Sequence, residues 1–174
     1  MKVFSILTAF LSTSSNHRHP DVRSLQAART EVEDCIIIPL RRRLLERSVN
    51  DKQYLGLEHP VLHPGDEVKQ KSLLLGPVTK QEVGTVYTLA TVLDPDVRLA
   101  HGAYNITVGP RIGLINFSAL IPNYLATKEF DMTVTGGTGD FHSAQGWIIV
   151  SNPEEVEGAL ERDATFHICG LYQM

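Results

Sequence analysis

The sequence predicts a mainly β protein, an antiparallel β-barrel of about eight strands with a helical N-terminal segment. From Val83 onward, short segments rich in Val, Ile and Thr are separated by turns that contain Gly, Pro or Asp, and no regular strand–helix alternation interrupts them. This pattern is typical of all-β domains. Closure into a barrel removes the sheet edges that would otherwise pair with other chains. The 174 residues, 43% of them hydrophobic, are enough for one domain with a sizeable core.

The first fifteen residues have the composition of a signal peptide. Lys2 precedes the apolar run Val3–Leu11, and the small residues Ser12–Ser15 follow it, which is the order of a charged, an apolar and a cleavable region. The apolar run is too short to span a bilayer, so we expect no stable membrane insertion. We predict that residues 1–15 direct the protein to the secretory pathway or outside the cell. The alternative is that this stretch is a first β-strand of a cytoplasmic protein.

Residues 16–70 are predicted to form a helical and loop-rich segment ahead of the barrel. Ser24 is an N-cap candidate, and Pro39 is expected to kink the helix because it lacks a backbone donor. Arg41–Arg43 would lie on the solvent side, and Ser48–Gly65 is rich in turn residues. The apolar residues at helical spacing are Leu25, Ala28, Val32, Cys35 and Ile36, followed by Leu40, Leu44 and Leu45.

The barrel is predicted to occupy residues 71–174. Its strand candidates are Lys71–Leu75, Gly84–Leu93, Ala100–Val108, Gly113–Ile121, Phe130–Thr135, Trp147–Val150 and Thr165–Tyr172. Between the last two, Glu154–Arg162 is acidic and compatible with a helix, so we expect a surface excursion there. In Gly84–Leu93 both faces are partly apolar, and we place the face of Tyr87, Leu89 and Thr91 inside the barrel.

Three glycines within four residues, Gly136, Gly137 and Gly139, indicate an unusual backbone path. Glycine clusters occur where φ is positive or where two backbones approach closely. A phosphate-binding loop would need a helix after the glycines, but only a few residues separate them from the next strand. We therefore predict a structural β-corner, in which Phe141 re-enters the core and Gly146 ends a short turn.

The order strand, TGGTGDF, Ala-x-Gly and strand resembles the signature of the allene oxide cyclase and dirigent protein superfamily. The residues that carry the resemblance are Gly136, Gly137, Thr138, Gly139, Phe141, Ala144 and Gly146. The resemblance extends from Glu82 to Tyr172 and implies a barrel that encloses a cavity for one small ligand. Two departures occur: the segment around Ile121–Thr127 is shorter than in relatives, and His142 stands where many dirigent proteins have an arginine.

The resemblance implies a cofactor-independent cyclase or isomerase that binds a reactive apolar intermediate and directs its ring closure in specialised-metabolite biosynthesis. Two other functions stay open. One is a dirigent-type auxiliary protein that directs the coupling of intermediates made by an upstream oxidase, and the other is a small-molecule binding barrel that does no chemistry. A homo-oligomer is compatible with all three. The sequence contains no recognisable nucleophile elbow, metal motif or cofactor fingerprint, and we expect neither a cofactor nor a metal.

The candidate site residues are those that the resemblance or strand alternation places inside the barrel. Tyr124 and Tyr104 correspond to cavity positions of allene oxide cyclases, and Asn116 could anchor a carbonyl or a water. We predict that catalysis uses Tyr124, Tyr104 and Asn116. We predict that substrate binding uses Tyr87, Leu89, Thr91, Ile106 and His142, and that the corner consists of Gly136, Gly137, Gly139, Phe141 and Gly146. For each tyrosine, the alternative is a core aromatic whose hydroxyl reaches a backbone carbonyl.

Charge and cysteine content restrict the function further. The formal net charge is −4, so no global positive field attracts nucleic acid. Cys35 and Cys169 are the only cysteines, which is too few for a disulfide framework, and their spacing does not suggest zinc. We expect two buried free thiols, or one bridge if the protein is secreted.

Overall fold

Nine β-strands make up the regular secondary structure of the computed structural model, which describes residues 35–54, 60–122 and 128–171. They are β1 (Ile36–Val49), β2 (Lys52–Tyr54), β3 (Glu67–Leu75), β4 (Glu82–Asp94), β5 (Val97–Val108), β6 (Arg111–Pro122), β7 (Glu129–Gly139), β8 (Gln145–Val156) and β9 (Ala159–Cys169). Within these ranges the chain contains no helix.

Eight of the strands close into an antiparallel barrel. From β3 to β9 each strand pairs with the next along the chain, and β1 closes the barrel between β3 and β9. The short strand β2 pairs only with the end of β1. The predicted fold class, a mainly β antiparallel barrel of about eight strands, is therefore confirmed.

Side-chain alternation fills the interior. In β6, Ile115, Phe117, Ala119 and Ile121 are buried, while the residues between them are partly or fully exposed. Successive strand residues point to opposite faces, so one face of every barrel strand contributes to a single core. Burial of these apolar faces stabilises the closed sheet.

The barrel has two ends, which we call the corner end and the mouth. The corner end holds the turns at residues 76–81, 109–110 and 140–144. The mouth holds the turns at residues 50–51, 95–96 and 157–158, and the connection at residues 60–66. Every antiparallel strand runs between these two ends, so each interior position can be assigned to one half of the barrel.

A disulfide ties the two ends of the described chain together at the corner end. Cys35 and Cys169 are bonded, with Cα atoms 4.1 Å apart. Cys35 precedes Ile36 and Cys169 follows Ile168, and Ile36 and Ile168 are the terminal pair of the β1–β9 ladder. The expectation of two free thiols is therefore wrong, and the single bridge is the arrangement that forms.

The predicted helix is wrong where the structure describes it, because Ile36–Val49 is strand β1. Residues 36, 40 and 44 are four apart, and this spacing puts side chains on one face in a helix and in a strand alike. Pro39 is tolerated because β3 ends opposite Arg41, so only β9 pairs with β1 at the proline. The barrel thus begins at Ile36 and not at residue 71, and residues 16–34 lie outside the described ranges.

The predicted surface excursion at Glu154–Arg162 is a β-hairpin. Strand β8 continues to Val156, and β9 starts at Ala159. Glu157 and Gly158 between them have φ values of 53° and 75°, which fits the two-residue turn that requires positive φ at both positions. Acidic composition had suggested a helix, but the Glu-Gly turn and pairing with β9 decide the conformation.

Candidate functional site

The interior of the barrel changes character along its axis. Toward the corner end it is filled by fully buried apolar side chains: Leu74, Ile106, Ile115, Phe141, Ile148 and Ile168. Toward the mouth, buried polar groups face the interior: Arg42, Arg47, Gln70, Ser72, Thr88 and Arg162. The polar groups inside the described barrel therefore lie in the mouth half.

An aromatic cluster separates the two halves. The Tyr104 ring centroid lies 5.0 Å from that of Phe117 and 4.8 Å from that of Phe166, the latter in an edge-on arrangement. The Tyr104 hydroxyl is 4.0 Å from the Met132 sulfur, to which it donates a weak hydrogen bond. Such tilted and edge-on aromatic contacts stabilise a core beyond area burial.

The Arg42 side chain in the mouth half is held by three hydrogen bonds. Its Nε donates to Ser72 Oγ at 3.1 Å, and its Nη2 donates to Gln70 Oε1 at 3.3 Å and to Thr88 Oγ1 at 3.2 Å. Gln70 and Thr88 are themselves cross-strand partners on β3 and β4. Three bonds to rigid strands fix the guanidinium, which is what a preorganised site requires.

A small cavity lies beside Arg42. Its volume is about 10 Å³, which is room for one water-sized group. Polar lining comes from Arg42, Gln70, Thr88 and Arg98, and apolar lining from Val68, Ala90, Ala100, Phe117, Ile121 and Met132. This mouth cavity combines several apolar walls with a few converging hydrogen-bond donors.

Arginine side chains are buried in the mouth half. Arg162 on β9 is the direct cross-strand partner of Arg42, and only 2% of it is exposed. Its guanidinium lies 5.7 Å from the centroid of the Phe130 ring, a favourable cation–π distance. Among the described residues Glu161 is the one fully buried carboxylate, and it pairs with Arg41 and Arg43 on the outer face.

A clamp around Asp66 holds the connection at residues 60–66 against the mouth. The Asp66 carboxylate accepts hydrogen bonds at 2.7 Å from the His63 backbone N–H and from the Asn50 side chain. These bonds, the one from His63 first, lower the pKa of Asp66. Its carbonyl also accepts the Val92 N–H at 2.9 Å, so Asp66 links β1, β3 and β4.

A second, larger concavity lies on the outer surface. This outer groove has a volume of about 610 Å³ and crosses β1 to β6. Its exposed residues include Tyr87, Leu89 and His101, and Asn116 is half-buried there. The Lys71 ammonium lies 5.8 Å from the centroid of the Tyr87 ring. The groove is open, so it lacks the water exclusion of the mouth cavity.

The predicted site residues are divided between these places. Tyr104 and Ile106 point into the barrel and are fully buried in packed core rather than beside the mouth cavity. Tyr87 and Leu89 are 55% and 36% exposed on the outside. The prediction that Tyr87, Leu89 and Thr91 face the interior is therefore wrong, because the smaller residues of the other face are the ones that fit inside: Val86, Thr88, Ala90 and Val92.

The remaining predictions fall elsewhere. Asn116 lies in the outer groove with Tyr87 and Leu89. His142 is exposed at the corner end, far along the barrel from the mouth. Tyr124 lies outside the described residues, so its assignment stays a prediction.

The predicted glycine corner lies at the corner end, between β7 and β8. Gly139 has a φ of 61°, and a Cβ on Gly137 would come within 2.3 Å of the Phe141 carbonyl oxygen. A Cβ on Gly146 would come within 1.9 Å of the His167 carbonyl oxygen. Phe141 itself is fully buried. Close backbone approach is thus the main reason for glycine here.

Sequence reasoning missed Arg42, Gln70 and Thr88. The signal for Arg42 was present, because a period of two puts it on the face of Ile38 and Leu40. The helical interpretation had instead placed it on a solvent side with its two arginine neighbours. Gln70 lay at the end of residues 16–70, which were predicted to form a helical and loop-rich segment.

The described ranges contain neither a cluster of metal ligands nor a membrane-spanning helix. No group of three His, Cys, Asp or Glu side chains there is arranged to hold a metal ion. No helix in those ranges is long and apolar enough to cross a membrane.

The fold is a small antiparallel barrel of the class that dirigent proteins and Diels–Alderase-type cyclases form. The chain is similar to the pterocarpan synthase dirigent protein PsPTS1, with a TM-score of 0.64 and 11% identity over 82% of this chain and 99% of that one. It is similar to the pterocarpan synthase dirigent protein GePTS1, with a TM-score of 0.62 and 15% identity over 93% and 98% of the two chains. It is also similar to the Diels–Alderase AbmU from Streptomyces koyangensis, with a TM-score of 0.55 and 18% identity over 87% and 79%. No protein-family model and no curated protein matches the sequence.

Proposed function

We propose that this protein binds a reactive, mostly apolar small molecule in the mouth half of the barrel and directs its ring closure without a cofactor. The observation that carries the proposal is the mouth cavity, where apolar walls surround the donors of a guanidinium fixed by three hydrogen bonds. A Diels–Alderase and a cyclase that catalyses a [4 + 2] cycloaddition have similar folds, which supports a role in ring closure.

Ring closure of this kind rearranges bonds within one molecule, so it needs no oxidant, reductant or leaving group. The protein would hold a flexible chain in a near-attack conformation and exclude water. The Arg42 guanidinium would hold a substrate oxygen through charge-assisted hydrogen bonds and so fix the position of the bound molecule. No carboxylate or imidazole is among the described residues that line the cavity, so this lining favours shape and electrostatics over proton transfer.

A dirigent-type auxiliary is the second candidate. Two of the similar structures are dirigent proteins, with TM-scores of 0.64 and 0.62. The described lining residues include no carboxylate or imidazole, which suits a protein that only orients its ligand. In that case an upstream oxidase removes one electron from each ligand molecule, and the barrel selects the face on which two radicals couple. A third possibility is a barrel that binds its ligand and directs neither ring closure nor coupling.

We also propose that the protein is secreted or enters the secretory pathway. The disulfide Cys35–Cys169 supports this, because such bonds persist in oxidising compartments. Residues 1–15, the predicted signal peptide, lie outside the described ranges. Expression in a eukaryotic host with N-terminal sequencing of secreted protein tests the proposal, and intact Met1 on intracellular protein would contradict it.

Product stereochemistry tests the main proposal. One arm generates an allene oxide in situ from a fatty-acid hydroperoxide, and the other generates phenoxyl radicals from a phenylpropanoid alcohol with a separate one-electron oxidase. We expect racemic products without the protein and an enantiomeric excess with it in the ring-closure arm. An excess confined to the oxidase arm supports the dirigent-type function, and racemic products in both arms contradict directed chemistry on these classes.

A pair of matched variants locates the effect. Ala90→Val adds two methyl groups to the wall of the mouth cavity, whereas Ala103→Val adds the same groups in the outer groove. If the mouth directs the reaction, the first substitution lowers the enantiomeric excess and the second leaves it unchanged. The opposite result would move the site to the outer groove.

A further inference from the structure

Arg42 is a buried positive charge whose partners are all neutral. Only 5% of the residue is exposed, and its hydrogen bonds go to a serine, a glutamine and a threonine. No ion pair of Arg42 occurs within the described ranges. Burying a charge without a counter-charge is costly, so an arrangement of this kind points to an occupant that the side chains do not supply.

Donor capacity remains on the same side chain. A guanidinium has five N–H donors, and the three hydrogen bonds of Arg42 use Nε and Nη2. The third nitrogen, Nη1, makes no hydrogen bond to any described residue. Arg42 lines the mouth cavity, so an occupant that contacts its guanidinium can accept hydrogen bonds from these donors.

The surrounding charges favour an anion. Arg162 lies directly across the β1–β9 ladder from Arg42, and Arg98 lines the same cavity. Cationic side chains that line a cavity attract a negatively charged ligand group. The buried carboxylate of Glu161 lies on the outer face, where it is bonded to Arg43 at 2.6 Å.

We propose that the mouth cavity binds the carboxylate of an otherwise apolar molecule, with one carboxylate oxygen accepting the Nη1 donors of Arg42. Room for about one water-sized group suits a carboxylate oxygen. The apolar body would lie against Val68, Ile121 and Met132, and the flexible Met132 side chain would move to admit it. The inference rests on the proposed function for its cavity and names the substrate class that the function would use.

Ligands of one chain length with different head groups test the proposal. Octanoate, 1-octanol and octyltrimethylammonium are titrated into the folded protein by calorimetry at pH 7 and low salt. We expect octanoate to bind at least about tenfold more tightly than 1-octanol, as a charge-assisted hydrogen bond predicts. Equal affinities for octanoate and 1-octanol, or a preference for the ammonium, would overturn it.

Two charge-matched variants assign the effect to one residue. Arg42→Gln removes the buried charge, and Arg111→Gln removes a charge at the corner end. The first is expected to reduce octanoate affinity about tenfold, to the level of 1-octanol, and the second to leave it unchanged. An equal loss of octanoate affinity in both variants would show an effect of net charge and would overturn the proposed carboxylate site at Arg42.

If Arg42→Gln does not fold, arginine side-chain NMR of the wild-type protein decides the matter. Octanoate must shift the Arg42 resonance and leave that of Arg111 in place, and the reverse pattern overturns the proposal. Octanoate binding with racemic products in the stereochemical assay would contradict the proposed function alone. Stereoselective products with no preference for octanoate would contradict the carboxylate site alone.

Discussion

The two halves of the barrel interior are built from different residues for different purposes. The corner half is apolar, closely packed and braced by the disulfide and the glycine corner, and Phe141 and Ile148 are fully buried there. The mouth half buries Arg42 and Arg162 and leaves a small cavity. Buried charges rarely add stability compared with apolar residues of similar size. The difference therefore indicates that the corner half stabilises the fold, and it supports the proposal that the mouth half binds the ligand.

The largest effect is expected from truncating the corner core. Phe141→Ala should lower the free energy of unfolding by about 3–5 kcal/mol, because a large buried ring leaves a cavity. Leu120→Ala, on a 60% exposed residue of β6, is the control and should change stability by less than about 0.5 kcal/mol. Urea denaturation measures both. Similar values for the two variants would show that the corner half is not the packed half.

Loss of the disulfide should have the next largest effect. The double variant Cys35→Ser/Cys169→Ser should lose about 2–5 kcal/mol of stability, since the bond closes a long loop in the unfolded chain. Reductant should destabilise the wild-type protein by a similar amount and leave the double variant unchanged. At temperatures where the double variant is folded, its affinity for octanoate should equal that of the wild-type protein. Loss of octanoate binding by the folded variant would contradict separate roles for the corner half and the mouth half.

The glycine corner offers a finer comparison between neighbouring positions. A Cβ on Gly137 would meet the Phe141 and Leu114 carbonyl oxygens at 2.3 and 2.4 Å, whereas a Cβ on Gly136 would have nothing within 4 Å. We expect Gly137→Ala to cost about 1–3 kcal/mol, from strain at the corner. Gly136→Ala carries only the penalty of its φ of 134° and should cost less. Equal melting temperatures for the two variants would show that the contact with the carbonyl oxygens is not the reason for glycine at position 137.

The smallest effect is expected at the mouth, and it depends on pH. Hydrogen bonds lower the pKa of Asp66 in the folded protein. Its carboxylate therefore stabilises the fold above the unfolded pKa of about 4, and this contribution is lost as the pH falls through the lowered folded pKa. Asp66→Asn should be less stable than the wild type at neutral pH, with the difference shrinking in acid. A difference that grows in acid would contradict the clamp.

Much of the fold could be predicted from the sequence, because strands from Gly84 onward alternate strongly and the glycine cluster indicates a corner. Strand β1 could not be predicted, because apolar residues spaced by four positions fit a helix and a strand equally well. The face of β4 that points into the barrel was also undetermined by the sequence. Both faces are partly apolar, and only packing against neighbouring strands decides which one fits inside. The mouth depends on Arg42, Gln70 and Thr88 from three strands, and their meeting is set by register.

We propose that the ligand binds inside the mouth half, and methyl NMR tests this location most directly. Met132 and Ile121 report on the mouth cavity, Ile148 on the corner half and Leu89 on the outer groove. Titration with octanoate and with 1-octanol should shift the Met132 and Ile121 methyl resonances and leave those of Ile148 and Leu89 in place. Shifts confined to Leu89, with Met132 and Ile121 unchanged, would contradict the claim and place the ligand on the outer surface.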